Sequence, residues 1–319
     1  MYISKEINWL KYLKTREVYI FGCGDTGKMC AFKLKQYGIC IKGFIDNDPS
    51  KVGEKSNNLL VISLEEYKNN NLPNNTIVIC SNREMEIKCQ LLEENVINFL
   101  SVEQIDFGGG ENYYDEEYFK WQMPMGKFGA KVSYRLFKPY VKQTDTLVEF
   151  GSAGGYLLNE FANNEKIGIE INDIARNYAK QYGIKSVRTA DEIEEEYADV
   201  IISTHVLEHV ERSLDELRKL YRVLKTGGKI VFYVPNESCE TEYIRSEVNN
   251  HLYTWNCLTL GNLFKAAGFF VYSVECIQEI WPKSWEKLGN ELSEELFDEL
   301  SRIGGVATGE SNCLIVAYK

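Results

Sequence analysis

"LVEFGSAGGYLLNEF", residues 147–161, is a hydrophobic strand that runs into a glycine turn and then into a helix. Gly151 and Gly155 let the backbone pass close beneath a ligand, because glycine has no Cβ to clash and tolerates positive φ. Loops of this layout bind nucleotides, and the flanking charges narrow the choice. The turn carries no Lys, and Glu149 stands two residues before it, where it repels a pyrophosphate. A carboxylate there suits a cationic ligand, one with an amino group or a sulfonium. The next strand, "KIGIEI", contains Glu170 near its end, placed to accept both hydroxyls of a ribose. Ribose recognition with a cationic tail, and no phosphate cradle, points to S-adenosylmethionine rather than NAD.

The stretch 145–235 resembles the class I S-adenosylmethionine-dependent methyltransferases. The shared pattern is an acidic residue, a spaced glycine loop and an acidic residue ending the next strand, here Glu149, "GSAGG" and Glu170. "ADVIISTHVLEHV" (198–210) and "LRKLYRVLKTGGKIVFYVPNE" (217–237) follow in the family's order. Ala153 departs from the pattern by holding the usual second glycine position; its methyl tightens the turn without excluding the cofactor. The resemblance implies that Glu149 and the loop of Gly151, Ser152, Ala153 and Gly155 face the methionine half of S-adenosylmethionine. It places Glu170 on the ribose with Ile171 beside it, Asp191 near the adenine, and Thr204 and His205 beside the transferable methyl. Asp191 also opens the acidic run "DEIEEE" (191–196), a solvated helix face, so a helix cap is an equal reading.

A competing motif overlaps this region. "HVLEH" (205–209) matches H-x-x-E-H, a zinc pattern of one metalloprotease class. That reading needs His205 and His209 on one helix face with a further ligand elsewhere. His205 closes the strand "VIIST", before a helix can begin, so no metal is expected and a zinc hydrolase through His205, Glu208 and His209 is the lesser alternative.

On the acceptor side, "NHLYTWNCLTLGNLFKAAGFFV" (250–271) lies between the fifth and sixth strands of this half. His251 is the candidate general base, since imidazole titrates near neutrality; capping a helix or packing on Trp255 is the equal structural alternative. Asn236, Tyr253 and Trp255, with Trp121 and Gln122 upstream, are the candidate substrate contacts. Trp281 and Trp285 are further aromatics able to stack on a sugar. The segment "YFKWQMPMGKFG" (118–129) is expected to form a lid, with Gly126 and Gly129 as hinges.

A second glycine loop precedes all this. "VYIFGCGDTGK" (18–28) fits G-x-G-x-x-G at Gly22, Gly24 and Gly27, with Asp25 and Thr26 inside it and Asp46 ending the next strand. Taken alone it is the dinucleotide fingerprint. Nothing around it looks like a hydride-transfer site. With "GFIDNDPSKVGE" and "VISLEEY", it resembles the small nucleotide-sugar-binding domains of bacterial sugar-modifying enzymes. That resemblance implies a UDP- or CDP-linked substrate, or a related activated phosphate compound; an empty scaffold or dimerisation domain is the alternative.

The 319 residues favour two domains. Strands and helices alternate over residues 17–105, "LLVISLEEY" among the strands, and again from 145, with one extra helix near 284–303. The fold class is α/β, with two Rossmann-like parallel-sheet domains, the second a seven-stranded class I methyltransferase fold. Residues 1–107 form the nucleotide-binding domain, 108–144 a linker with aromatic lid helices, and 145–319 the methyltransferase domain. Lys plus Arg is 36 against 47 Asp plus Glu, a net charge of −11 that disfavours nucleic acid. No run of about 18 apolar residues occurs, so no spanning helix is expected. Nine cysteines with no C-x-x-C pair fit a reduced cytoplasm. With the two resemblances, these imply a cytoplasmic small-molecule methyltransferase, oxygen favoured over nitrogen or carbon as acceptor atom; its place in bacterial surface-glycan biosynthesis is implied by resemblance alone. A homodimer is allowed, and a non-catalytic nucleotide sensor is the alternative of a different class.

Overall fold

The apolar runs around both glycine loops become parallel strands, each flanked by a helix that covers a sheet face. The computed structural model describes residues 9–56, 58–70, 74–81, 83–105, 116–163, 165–238 and 251–319. These fall into two compact units, divided between residues 113 and 114.

The first unit runs α1 (Trp9–Leu13), β1 (Glu17–Phe21), α2 (Asp25–Gln36), β2 (Cys40–Ile45), β3 (Lys55–Ser56), β4 (Leu59–Ile62), α3 (Leu64–Asn69), β5 (Asn75–Ile79), α4 (Glu84–Glu93) and β6 (Phe99–Ser101). Its sheet has the order β3-β4-β2-β1-β5-β6. Every pair is parallel except β3 with β4. The strand expected over "LLVISLEEY" stops at Ile62. Ser63 then caps α3: the Glu66 N–H donates to its Oγ at 3.1 Å, and its own N–H donates to the Glu66 carboxylate at 2.8 Å. This reciprocal pairing satisfies two helix-end donors, so the chain turns helical there.

The second unit begins with α5 (Glu116–Phe137) and continues β7 (Leu147–Phe150), α6 (Tyr156–Glu160), β8 (Lys166–Ile169), α7 (Asp173–Ala179), β9 (Lys185–Val187), β10 (Ala198–Thr204), α8 (Ser213–Val223), β11 (Leu224–Asn236), α9 (Cys257–Ala267), β12 (Phe270–Ile277), α10 (Trp285–Glu291), α11 (Glu294–Thr308) and β13 (Ser311–Tyr318). The sheet order is β12-β13-β11-β10-β7-β8-β9, with β13 antiparallel to both neighbours. Val148, Ile201 and Phe232 bury into one apolar layer, and Leu147, Ile202 and Val231 into the other. Each such side chain contributes about 1.5–3 kcal/mol on burial. Order reverses between β7 and β10, and ligands of open α/β sheets bind at the carboxyl ends of strands beside such a switch point.

Three local expectations are corrected. Gly126 and Gly129 are not hinges: both lie inside the single 22-residue helix α5. A Cβ on Gly126 would sit 3.1 Å from the Tyr156 ring, and one on Gly129 would sit 3.0 Å from Trp281, so both permit close packing. The acidic run forms no α-helix; Ala190–Glu192 is one turn of 3-10 helix capped by Thr189 and Glu192. The extra helix near the end is two, α10 and α11, separated at Ser293, whose Oγ accepts from the Leu296 N–H at 3.3 Å.

Candidate active site

The glycine loop after β7 hangs on the end of β8. The N–H groups of Gly151 and Ser152 both donate to the Ile169 carbonyl, at 2.8 and 3.0 Å. Gly151 has φ 75°, and a Cβ there would fall 2.2 Å from Val206 Cγ2, so only glycine fits. Gly155 also has φ 75° and leads into α6. Ala153 adopts φ 43°, a left-handed conformation that costs a Cβ-bearing residue about 1–2 kcal/mol. Its N–H donates to Glu170 Oε2 at 2.8 Å, while the Asn172 N–H donates to Oε1 at 2.8 Å. Glu170 is thereby held by the loop it faces, with a lone pair left on each oxygen. Burial pushes its carboxyl up, against the pull of those backbone donors and of Arg176.

Glu149 lies under the loop rather than on it, 3% exposed. Burial pushes its carboxyl up to about 8; the Leu158 amide opposes this and the Glu170 charge adds to it. Among the described residues its Oε2 has no hydrogen-bond partner, and neither has Ser152 Oγ, buried against Gly168, nor Thr204 Oγ1 at the end of β10. Ile171 is exposed beside Glu170. Asp191, set near the adenine by resemblance, pairs with Lys219 at 3.1 Å and Arg222 at 3.5 Å on α8.

Beyond β10 the chain builds a cluster that sequence reasoning did not assemble. His205 takes φ 52°, donates its N–H to the Tyr233 carbonyl at 2.9 Å and sets its ring edge-on to Tyr233. Leu207–His209 is one 3-10 turn that drives Glu208 to zero exposure. The N–H groups of Leu252 and Tyr253 donate to the Glu208 carbonyl at 2.9 and 3.1 Å, which brings His251 in. One oxygen, Glu208 Oε1, then faces His205 Nδ1 at 3.6 Å, His209 Nε2 at 3.8 Å and His251 Nε2 at 4.0 Å. These are all three histidines of the chain. Burial would raise the Glu208 carboxyl, but His205 and His209 hold it below its usual range. His251 Nδ1 bonds Glu237 Oε1 at 2.7 Å. The two histidines of "HVLEH" do not share a helix face, since His205 precedes the turn, and the third imidazole comes from 42 residues further along (251 − 209).

The remaining substrate candidates divide. Tyr253 is 40% exposed and stacks on Trp255, with its hydroxyl donating to the Glu211 carbonyl at 2.9 Å. Trp255 itself is 9% exposed and belongs to the core, so it offers no face to a sugar. The Asn236 amide donates to Ser311 Oγ at 2.9 Å. Gln122 lies partly buried on α5, and the side chain of Trp121 is outside the described residues. Trp281 and Trp285 are partly exposed and pack on Phe128.

In the first unit, the three glycines of the other loop have distinct surroundings. Gly22, at φ 109°, turns the chain where a Cβ would lie 2.3 Å from the Cys80 carbonyl oxygen. Gly27 holds α2 against β1, where a Cβ would lie 1.9 Å from the Gly22 oxygen. Gly24 has open space around it and precedes Asp25 and Thr26 in the first turn of α2. Asp46 accepts from the Cys23 N–H at 2.8 Å and Lys51 Nζ at 3.1 Å on Oδ2, and from the Asp48 N–H on Oδ1.

A family model described as "Methyltransferase domain" matches residues 114–274, just over half of the chain. No curated protein sequence matches. Among solved structures, a chain of the Haloferax volcanii complex between the Trm112 activator and a methyltransferase is 18% identical (TM-score 0.47, 64% of this chain, 94% of that one). A SAM-dependent methyltransferase from Archaeoglobus fulgidus is 21% identical (0.46, 64% and 100%). One from Mesorhizobium loti is 17% identical (0.42, 60% and 100%).

Proposed function

The chain belongs to the methyltransferase domain family, with S-adenosylmethionine as its cofactor, and from that premise we propose that it methylates a hydroxyl of a nucleotide-linked sugar or a related activated phosphate compound. The observation that carries the cofactor half is the Glu170 carboxylate, fixed by the loop's own Ala153 N–H at the switch point between β7 and β10. The residues present fit the group. Gly151 and Gly155 leave the loop without protruding side chains, Glu170 has lone pairs for the ribose hydroxyls, and Ile171 offers apolar surface alongside. When bound, the cofactor supplies an electrophilic methyl carbon on a positively charged sulfur.

This chain's residues then have three tasks. Glu170 orients the ribose, so the reacting carbon is held rather than searched for. Glu149, buried with Oε2 unpartnered and its carboxyl pushed up to about 8, is the carboxylate set against the cationic methionine half. The packed imidazoles of His205, His209 and His251 offer a proton acceptor, which a hydroxyl acceptor requires and an amine does not. Oxygen is therefore the favoured acceptor atom.

The first unit supports the nucleotide part. Gly22, Gly24 and Gly27 divide into tight turn, open approach and helix packing, the division of labour of a diphosphate-binding loop. A cleft of about 610 Å³ opens beside Asp46, lined by Ser63, Lys68 and Gln90 among others. The test is a thermal-shift screen of S-adenosylmethionine, NAD, UDP and CDP, followed by S-adenosylhomocysteine release with UDP- and CDP-sugars. Stabilisation by S-adenosylmethionine and by one pyrimidine diphosphate, with turnover, is expected. Stabilisation by NAD alone overturns the reading.

A further inference from the structure

The cluster after β10 has the makings of a metal centre. The ligand atoms of Glu208, His209 and His251 all lie within 4.8 Å of one another. A tetrahedral ion with bonds of about 2.0–2.2 Å holds its ligand atoms about 3.3–3.6 Å apart, so these side chains would close up by about 1 Å to grip one. Glu208 has no exposed surface, and among the described residues neither of its carboxylate oxygens has a hydrogen-bond partner. A buried carboxylate of this kind costs several kcal/mol unless a cation or good hydrogen bonds compensate it. The imidazoles at 3.6–4.0 Å are too distant to hydrogen-bond it.

The orientation of His251 adds an independent observation. Its Nδ1 sits 2.7 Å from Glu237 Oε1, so Nδ1 carries the proton and donates it to that carboxylate. The lone pair is left on Nε2, the nitrogen that faces Glu208. A carboxylate behind a histidine, fixing the tautomer so that the other nitrogen can ligate, is a recurrent feature of metal sites.

We propose that Glu208, His209 and His251 form a binding site for a divalent cation of the borderline class, Zn²⁺ or a neighbour in its series, with Glu237 as the supporting carboxylate. Two imidazole nitrogens and one carboxylate oxygen suit such ions and not Mg²⁺ or Ca²⁺, which take all-oxygen sets. Three protein ligands leave coordination positions open. The site lies next to the donor loop, because Val206, three residues before His209, is the side chain that packs against Gly151. An ion here lowers the pKa of a hydroxyl that reaches it, as it does for water. His251, expected from the sequence to be the base, is then a ligand. His205 lies outside the set, 49% exposed at its side chain. The ion's role, though not its binding, rests on the methyl-transfer reading.

The experiment uses the full chain, stripped with a chelator and titrated with Co²⁺ and Zn²⁺ by calorimetry and visible absorption, beside His209→Ala, His251→Gln and Glu208→Gln. S-adenosylmethionine affinity, measured on the same samples, reports that each variant is folded and that the cofactor reading stands. One equivalent of ion bound by the wild type, with d–d bands, and at least 100-fold weaker binding in every variant is expected. Absence of ion binding, or affinity unchanged by the variants, overturns the metal site even if S-adenosylmethionine binds. Loss of S-adenosylmethionine binding with the ion retained would instead sink the cofactor reading.

Discussion

Glu149 shows how much a single position can mean once its surroundings are known. Its place before the glycine turn was legible, because charge and spacing are properties of sequence. Its burial was not, since that depends on how the elements around β7 pack. With a carboxyl pushed up to about 8, the folded state binds a proton that the unfolded chain releases near 4.5. Stability is therefore lost as pH rises from about 4.5 through 8. Glu149→Gln removes this loss: melting temperatures of variant and wild type are expected to match near pH 4.5 and to diverge in favour of the variant up to pH 8.5. Parallel curves across that range would show that the carboxyl is ionised in the folded protein. Asp191 teaches the same lesson from the other side. Its partners Lys219 and Arg222 lie about thirty positions away on a helix, and nothing in "DEIEEE" announces them.

At the scale of elements, strands were legible and the packing between helices was not. Every strand read from 145 onward forms, since period and β-branching are local. The helices at 116–137 and 294–308 carry glycines whose meaning depends on what lies opposite. Gly305 is inside α11, where Ala ordinarily stabilises by about 1 kcal/mol. Here a Cβ would meet the Glu279 backbone nitrogen at 2.3 Å. Glu279 in turn bonds Tyr233 and Arg135, and Arg135 also reaches Asp298 at 2.6 Å, so the segment cannot retreat freely. Gly305→Ala is expected to destabilise by about 1–3 kcal/mol in denaturant unfolding. A variant as stable as wild type would mean that the Glu279 network yields.

At the scale of the molecule, two mostly parallel sheets each reverse their strand order beside a glycine loop, β1 with β5 and β7 with β10. Both loops use the same device: an acidic residue ending the next strand accepts a backbone N–H from the loop, Cys23 to Asp46 and Ala153 to Glu170. The repetition was visible in outline, as two glycine patterns. The histidine cluster was not, because it joins positions 205–209 to 251 across intervening chain. Among the described residues no helix is long and apolar enough to cross a membrane.

The central claim is that Glu170 holds the ribose of S-adenosylmethionine, and calorimetric titration of that compound into wild type and Glu170→Gln tests it most directly. Gln keeps one oxygen to accept from the loop and loses the charge that strengthens the bonds to two hydroxyls. A wild-type site for one equivalent, weakened about 100-fold in the variant, close to 3 kcal/mol, is the predicted result. Equal affinity in the two proteins would place the cofactor elsewhere and contradict the account.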